Sequence, residues 1–161
     1  MGAGLFKTSL PPQILARGFW LYVWQIKGPE HQQFCYVGMT GDVTGVAQSP
    51  FARAGAHFGS NKNANAIRRH LIKRDIEPEN CKSIELLVYG PVFPYWHSKP
   101  RHSDFDRSRN SVAALEKQLW RSVKALGMEM LNGEPNSRAK LDQPLWEQVW
   151  SAFSPSFSEK P

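Results

Sequence analysis

The chain has 161 residues, of which 41% are hydrophobic and 21% charged, the size and composition of one globular domain with a real core rather than two. A formal net charge of +6 and a pI near 9.5 favour polyanionic partners, because Lys and Arg displace counterions condensed on a phosphate backbone, although the same balance also suits a basic protein without such a partner. Cys35 and Cys81 stand far apart, which speaks against a disulfide framework or a paired-cysteine zinc site, and no window approaches the ~20 apolar residues of a membrane span. The expectation is a cytoplasmic protein with two buried thiols and no membrane partner.

Residues 1–17 carry Gly2, Gly4, Pro11 and Pro12 without sustained periodicity and are expected to form an N-terminal arm. Residues 19–26 and 34–39 are rich in aromatic and branched side chains and flank Gly28-Pro29, which predicts a β-hairpin with Tyr22 and Tyr36 on neighbouring strands. A Gly- and Thr-rich loop follows over residues 40–48. Ser49-Pro50 then supplies an N-cap and a first-turn proline for a short helix ending near Gly59, with Arg53 and His57 on one face.

A second helix over about residues 63–74 turns Ile67, Leu71 and Ile72 inward and leaves Arg68, Arg69, Lys73 and Arg74 as an outward basic patch. Residues 83–89 read as a third strand. Pro91, Pro94 and Pro100 then predict irregular structure until about Arg109, in a loop whose Tyr95, Trp96, His97, Lys99, Arg101 and His102 suit phosphate contact and base stacking, or simple packing. His97, His102, Asp104 and Asp106 in the same stretch have no spacing that defines a metal geometry.

Asn110 or Ser111 is expected to cap a third helix running to about Leu126, with Ala114, Leu115, Leu119 and Val123 as its apolar stripe, Glu116 projecting from its first half and Gly127 as its stop. A last helix begins near Asp142 and Pro144 and carries Trp146, Val149 and Trp150. The domain proper is thus expected over residues 18–136, with residues 137–161 a C-terminal helix and frayed tail packed upon it.

Hydrolysis of a phosphodiester needs a group to deprotonate or orient water, a cation on the phosphate, and donors aimed at charge developing in the transition state. Tyrosine, with a free pKa near ~10, is a poor base at neutral pH unless a cationic neighbourhood lowers it. Arg53, His57 and a metal on Glu116 are the available sources of that neighbourhood.

Trp20-Leu21-Tyr22, with thirteen residues between Tyr22 and Tyr36-Val37-Gly38, resembles the paired motif of the GIY-YIG nucleases, and Arg53, His57, Glu116 and Asn132 follow in the family's order. The resemblance covers residues 18–136. It implies an α+β fold with a small antiparallel sheet of about three strands flanked by helices, and an endonuclease that hydrolyses DNA with magnesium or manganese as cofactor. By motif, Tyr22 would be the general base or water-positioning group, Tyr36 a partner orienting nucleophile or phosphate, Arg53 the phosphate clamp, Glu116 the single protein metal ligand and Asn132 a brace. His57 would relay a proton or contact phosphate. Lys99 and Arg101 would join the basic helix in binding nucleic acid.

Two residues depart from the pattern. Trp20 replaces the motif's glycine, and Met39 stands where many members carry a lysine that helps depress the tyrosine pKa, leaving that task to Arg53, His57, the metal or Lys27. The alternative function is therefore a catalytically inactive nucleic-acid-binding module of the same fold. Singly, each site residue also has an ordinary reading: core tyrosines, a solvated Arg53 and His57, Glu116 paired with Lys117 or Arg121, Asn132 as a turn residue before Gly133. A protein-interaction domain with Trp146 and Trp150 as exposed anchors is a third class. A homodimer or a structure-specific substrate would suit so short a chain.

Overall fold

The computed structural model describes residues 4–41, 47–59, 65–94 and 102–158. Three long strands form its centre: β1 (Gly18–Lys27), β2 (Gln33–Met39) and β3 (Ser83–Pro94). β1 lies between the other two and pairs antiparallel with both, Tyr22 facing Gly38 on β2 and Val88 on β3. A two-residue strand, β4 (Glu129–Met130), adds to the free edge of β2 in parallel, so the sheet order is β3-β1-β2-β4. The sheet is therefore mixed and four-stranded, where the sequence suggested about three antiparallel strands. A strand of two residues has no periodicity to read.

Alternation along β1 and β2 divides the core between two layers. Leu21, Val23, Cys35, Val37 and Met39 face one side, where they pack with Phe105, Val112, Leu115, Leu119 and Val123 of α3 (His102–Ala125) and with Trp146, Val149 and Phe153 of α4 (Gln143–Phe153). Tyr22, Trp24, Ile26 and Phe34 face the other, against Ala54 and Phe58 of α1 (Pro50–Phe58) and Ile67 and Leu71 of α2 (Ala66–Ile72). Trp24 and Phe58 meet edge to face at 5.0 Å. The helices at the C-terminal end thus share the core of the sheet.

Several boundaries differ from expectation. β3 runs on to Pro94 because it is an outer strand of the sheet, where a proline need not donate to a further neighbour. α3 begins at His102, about two turns before Asn110, because Phe105 and Ser108 extend its buried stripe toward the N-terminus and Phe105 packs on Phe19 at 5.1 Å. α2 stops at Ile72, which is 46% exposed rather than inward, as the chain turns through Asp75 with φ 58°.

α4 starts where Asp142 accepts a hydrogen bond from the Leu145 amide, and a short 3-10 turn, Ser154–Phe157, follows it. Trp146 is buried against Val149's cluster and stacks on Trp150 at 5.7 Å, so it is a core residue rather than an exposed anchor. Cys35 is buried, with burial pushing its thiol up to about 12, while Cys81 is only half-buried. In the N-terminal arm, Pro12–Leu15 form a 3-10 turn that buries Ile14. No described helix is long and apolar enough to cross a membrane.

Trp20 occupies an irregularity of β1, where the pairing with β3 shifts register. Thr40 closes it: its hydroxyl accepts from the Trp20 amide and donates to the Gly18 carbonyl, and its own amide donates to the Trp20 carbonyl. The indole packs over Gly90, where a Cβ would come within 2.9 Å of the ring, and φ there is +146°. Trp20 therefore works on the β3 side of the sheet.

Candidate active site

A cleft of about 280 Å³ opens at the β2 edge, lined by Tyr22, Tyr36, Gly38, Met39, Arg53, Arg109, Ala113, Glu116, Asn132 and residues 135–137. Tyr22 and Tyr36 enter from the α1 side of the sheet, Arg53 from α1 itself, and Glu116 from α3 on the other side. They meet because β4 is so short: beyond Met130 no further strand backbone covers β2, and side chains from both layers reach its edge.

Asn132 takes over the ladder at that point. Its Nδ2 donates to the Val37 carbonyl at 2.8 Å and its Oδ1 accepts from the Val37 amide at 3.2 Å, after the Leu131 amide has donated to the Cys35 carbonyl at 2.8 Å. The amide side chain thus satisfies both polar groups of an edge residue, as a neighbouring strand would. Trp120 on α3 donates its indole N–H to the Asn132 carbonyl at 3.0 Å, fixing that backbone in turn. Asn132 is a brace of the cleft wall, and more than a turn residue.

Tyr22 is 2% exposed, and its hydroxyl lies 2.8 Å from Nε2 of His57. His57 sits behind the tyrosine, 3% exposed and outside the cleft lining, with its ring edge-on to Tyr36 at 4.9 Å. Burial, and secondarily the Arg53 charge, push the imidazole down to about 4, so it is neutral at pH 7. A neutral ring with its proton on Nδ1 would accept the Tyr22 hydroxyl at Nε2, whereas the other tautomer would donate from Nε2 to the phenol oxygen.

Burial also raises the Tyr22 pKa above its ordinary value, with Tyr36 and Glu116 adding to the rise and Arg53 opposing it through charge and hydrogen bonding. The expected cationic neighbourhood is thus outweighed by desolvation: His57 carries no charge, and Lys27 lies at the far end of β1 beside a different cavity. Tyr22 is a neutral phenol at physiological pH. What this arrangement offers is a relay, in which the phenol oxygen takes a proton as its own passes to His57.

Glu116 is half-buried, and Lys117 and Arg121, its expected partners, reach Glu134 instead at 3.7 and 2.7 Å. It is the one carboxylate among the described residues lining the cleft, and no described group of three or more His, Cys, Asp or Glu gathers anywhere else. One cleft carboxylate does not suit zinc, which wants several protein ligands. It does fit magnesium or manganese completed by waters and phosphate oxygens.

The basic helix divides into two pairs. Arg68 donates to the Phe58 carbonyl at 3.0 Å and forms a two-pronged ion pair with Glu79, while Arg74 reaches Glu129 at 3.1 Å and lies over the Phe34 ring. Both thus make ties to the fold, Arg68 half-buried and Arg74 exposed. Arg69 and Lys73, one turn apart, are exposed. Tyr95, Trp96, His97, Lys99 and Arg101 of the expected aromatic and basic loop lie outside the described residues.

Arg109 is the cleft residue that sequence reasoning passed over. The sequence pattern puts it at the end of an irregular loop, and only a helix starting at His102 brings it onto the face that carries Glu116, seven residues on. Met39 does line the cleft, and Trp20 does not. The chain matches no protein-family model, no curated protein and no solved structure.

Proposed function

We propose that this chain is a metal-dependent endonuclease of the GIY-YIG kind, hydrolysing DNA phosphodiester bonds. The observation that carries the reading is the convergence of Tyr22, Tyr36, Arg53, Glu116 and Asn132, from separate strands, helices and a loop, on one cleft of about 280 Å³. The net charge of +6 and the exposed Arg69 and Lys73 support a polyanionic substrate.

In this reading Arg53 holds a non-bridging oxygen of the scissile phosphate, and its guanidinium stabilises charge that grows as water attacks phosphorus. The water proton passes to the Tyr22 oxygen while the phenol proton crosses the 2.8 Å oxygen–nitrogen contact to Nε2 of His57. Tyr36 orients the water or the phosphate from the adjacent strand. The phosphorus–oxygen bond to the leaving group breaks and that oxygen takes a proton from solvent; His57 then returns its proton to the Tyr22 oxygen as Tyr22 gives up the water-derived proton to solvent. Glu116 would hold magnesium or manganese, which when bound neutralises phosphate charge and stabilises the leaving oxygen.

The test is cleavage of plasmid, linear, branched and single-stranded DNA with and without magnesium, beside Glu116→Ala and Tyr22→Phe. Metal-dependent cutting that Glu116→Ala abolishes and Tyr22→Phe strongly reduces supports the reading. An inert wild-type protein across that panel and a range of salt overturns it. The depth of Tyr22, only 2% exposed, favours one second reading: a module that binds nucleic acid without cutting it. Salt-sensitive binding by an inert wild-type protein would select that alternative.

A further inference from the structure

Resting on the nuclease reading, we infer that Arg109 is a second phosphate-binding residue of the cleft, gripping the phosphate next to the scissile one on the same strand. Arg109, Ala113 and Glu116 follow one another at helical spacing on α3 and all line the cleft. Seven residues of helix set the Arg109 backbone about 10 Å along the axis from that of Glu116, a separation suited to the phosphate neighbouring the one that Glu116 would serve. The small side chain of Ala113 leaves the space between them open.

The surrounding charges sharpen the assignment. Lys117 and Arg121 on the same helix are taken by Glu134, which ties the following segment to α3. Lys117 also donates to the Ser137 carbonyl at 2.9 Å, holding another part of the cleft lining in place. The Arg109 guanidinium makes no hydrogen bond or ion pair among the described residues, and it is half-buried. Arg53 and Arg109 thus come from the two layers on either side of the sheet and face one carboxylate. A polyanion with at least two phosphates answers that balance better than a single monoanion.

The experiment uses Glu116→Gln protein, which on the nuclease reading should hold DNA without cutting it, and reads fluorescence anisotropy of a short labelled duplex. Salt is varied from about 50 to 200 mM, where each lost phosphate contact flattens the log–log slope by about 0.9. Adding Arg109→Ala should flatten the slope by that amount and weaken binding about tenfold at the lower salt. Arg107→Ala removes the same charge from an exposed position about 200° around the helix and should leave the slope unchanged. Arg109→Lys should keep the slope, and the neutral Arg109→Gln should match Arg109→Ala, which guards against a variant that fails to fold.

In the cutting-competent protein, Arg109→Ala should raise KM about tenfold with kcat within a factor of about three. An unchanged slope in both neutral variants overturns the inference and leaves the nuclease reading intact. An equal flattening by Arg107→Ala overturns it as well, since the effect would then be one of net charge. Absence of any salt-sensitive binding by the Glu116→Gln parent overturns the nuclease reading itself.

Discussion

Tyr22 and Gly38 are direct partners across the β1–β2 ladder, and the Tyr22 ring lies over the Gly38 Cα so closely that a Cβ there would overlap the ring and its hydroxyl. The glycine of the second motif therefore exists to admit the tyrosine of the first. It also sets where the phenol meets His57 and opens toward the cleft.

Gly38→Ala should accordingly displace the phenol. Overpacking a buried site costs about 1–3 kcal/mol, and the hydroxyl would move away from His57. The expected result is a protein that still folds, with a lower urea midpoint, and, on the proposed nuclease activity, a cleavage rate that falls nearly as far as that of Tyr22→Phe. A Gly38→Ala variant with an undiminished rate of the proposed cleavage would contradict this account of the ladder.

His57 makes stability depend on pH in a defined direction. Its folded pKa of about 4 lies below the ordinary 6.5, so between these values the unfolded chain takes up a proton that the native one refuses. The contribution is present above about 6.5 and is lost as pH falls toward 4, up to about 3 kcal/mol in all. Unfolding free energies by urea from pH 4 to 8 should therefore converge for wild type and His57→Gln as the solution is acidified. A constant difference between them across that range would show that His57 does not titrate in this way.

What could be read in advance divides along physical lines. Tyr22, Tyr36 and Gly38 lie in strands whose aromatic and branched pattern marks them, and Ser49-Pro50 announces α1 through local capping, with the Ser49 hydroxyl accepting from the Ala52 amide at 3.2 Å. Such features depend on near neighbours. The first turns of α3 do not: Phe105 and Ser108 become a buried stripe only because Phe19, far off in the chain, is there to cover them. Charge at Tyr22 likewise turned on burial, a property of the packed layers that Arg53's proximity in a motif cannot convey.

Asn132 offers a test of bracing separate from chemistry. Asn132→Ala removes both contacts to Val37 and leaves an edge amide and carbonyl partly buried, which costs about 1–3 kcal/mol. Asn132→Asp keeps the acceptor for the Val37 amide, loses the donor to the Val37 carbonyl, and sets two oxygens against one another. Hydrogen exchange at the Val37 amide should rise in Asn132→Ala and remain closer to wild type in Asn132→Asp. Equal protection in all three proteins would mean that the side chain does not hold the β2 edge.

The two halves of the basic helix should separate in experiment. Arg68→Ala breaks the tie to the Phe58 carbonyl and to Glu79, between α2, the end of α1 and the turn before β3, so its expected effect is a lower Tm. Arg69→Ala with Lys73→Ala touches only exposed positions. Tm should stay within about 2 °C for that double variant, while the salt slope of the proposed DNA binding flattens by up to about 1.8, two phosphate contacts' worth. Thermal melts and salt-dependent anisotropy on the same preparations decide the matter. If Arg68→Ala flattened the slope at unchanged Tm, the ion pair with Glu79 would be subordinate to DNA contact, and the division of α2 into a structural pair and a binding pair would be wrong.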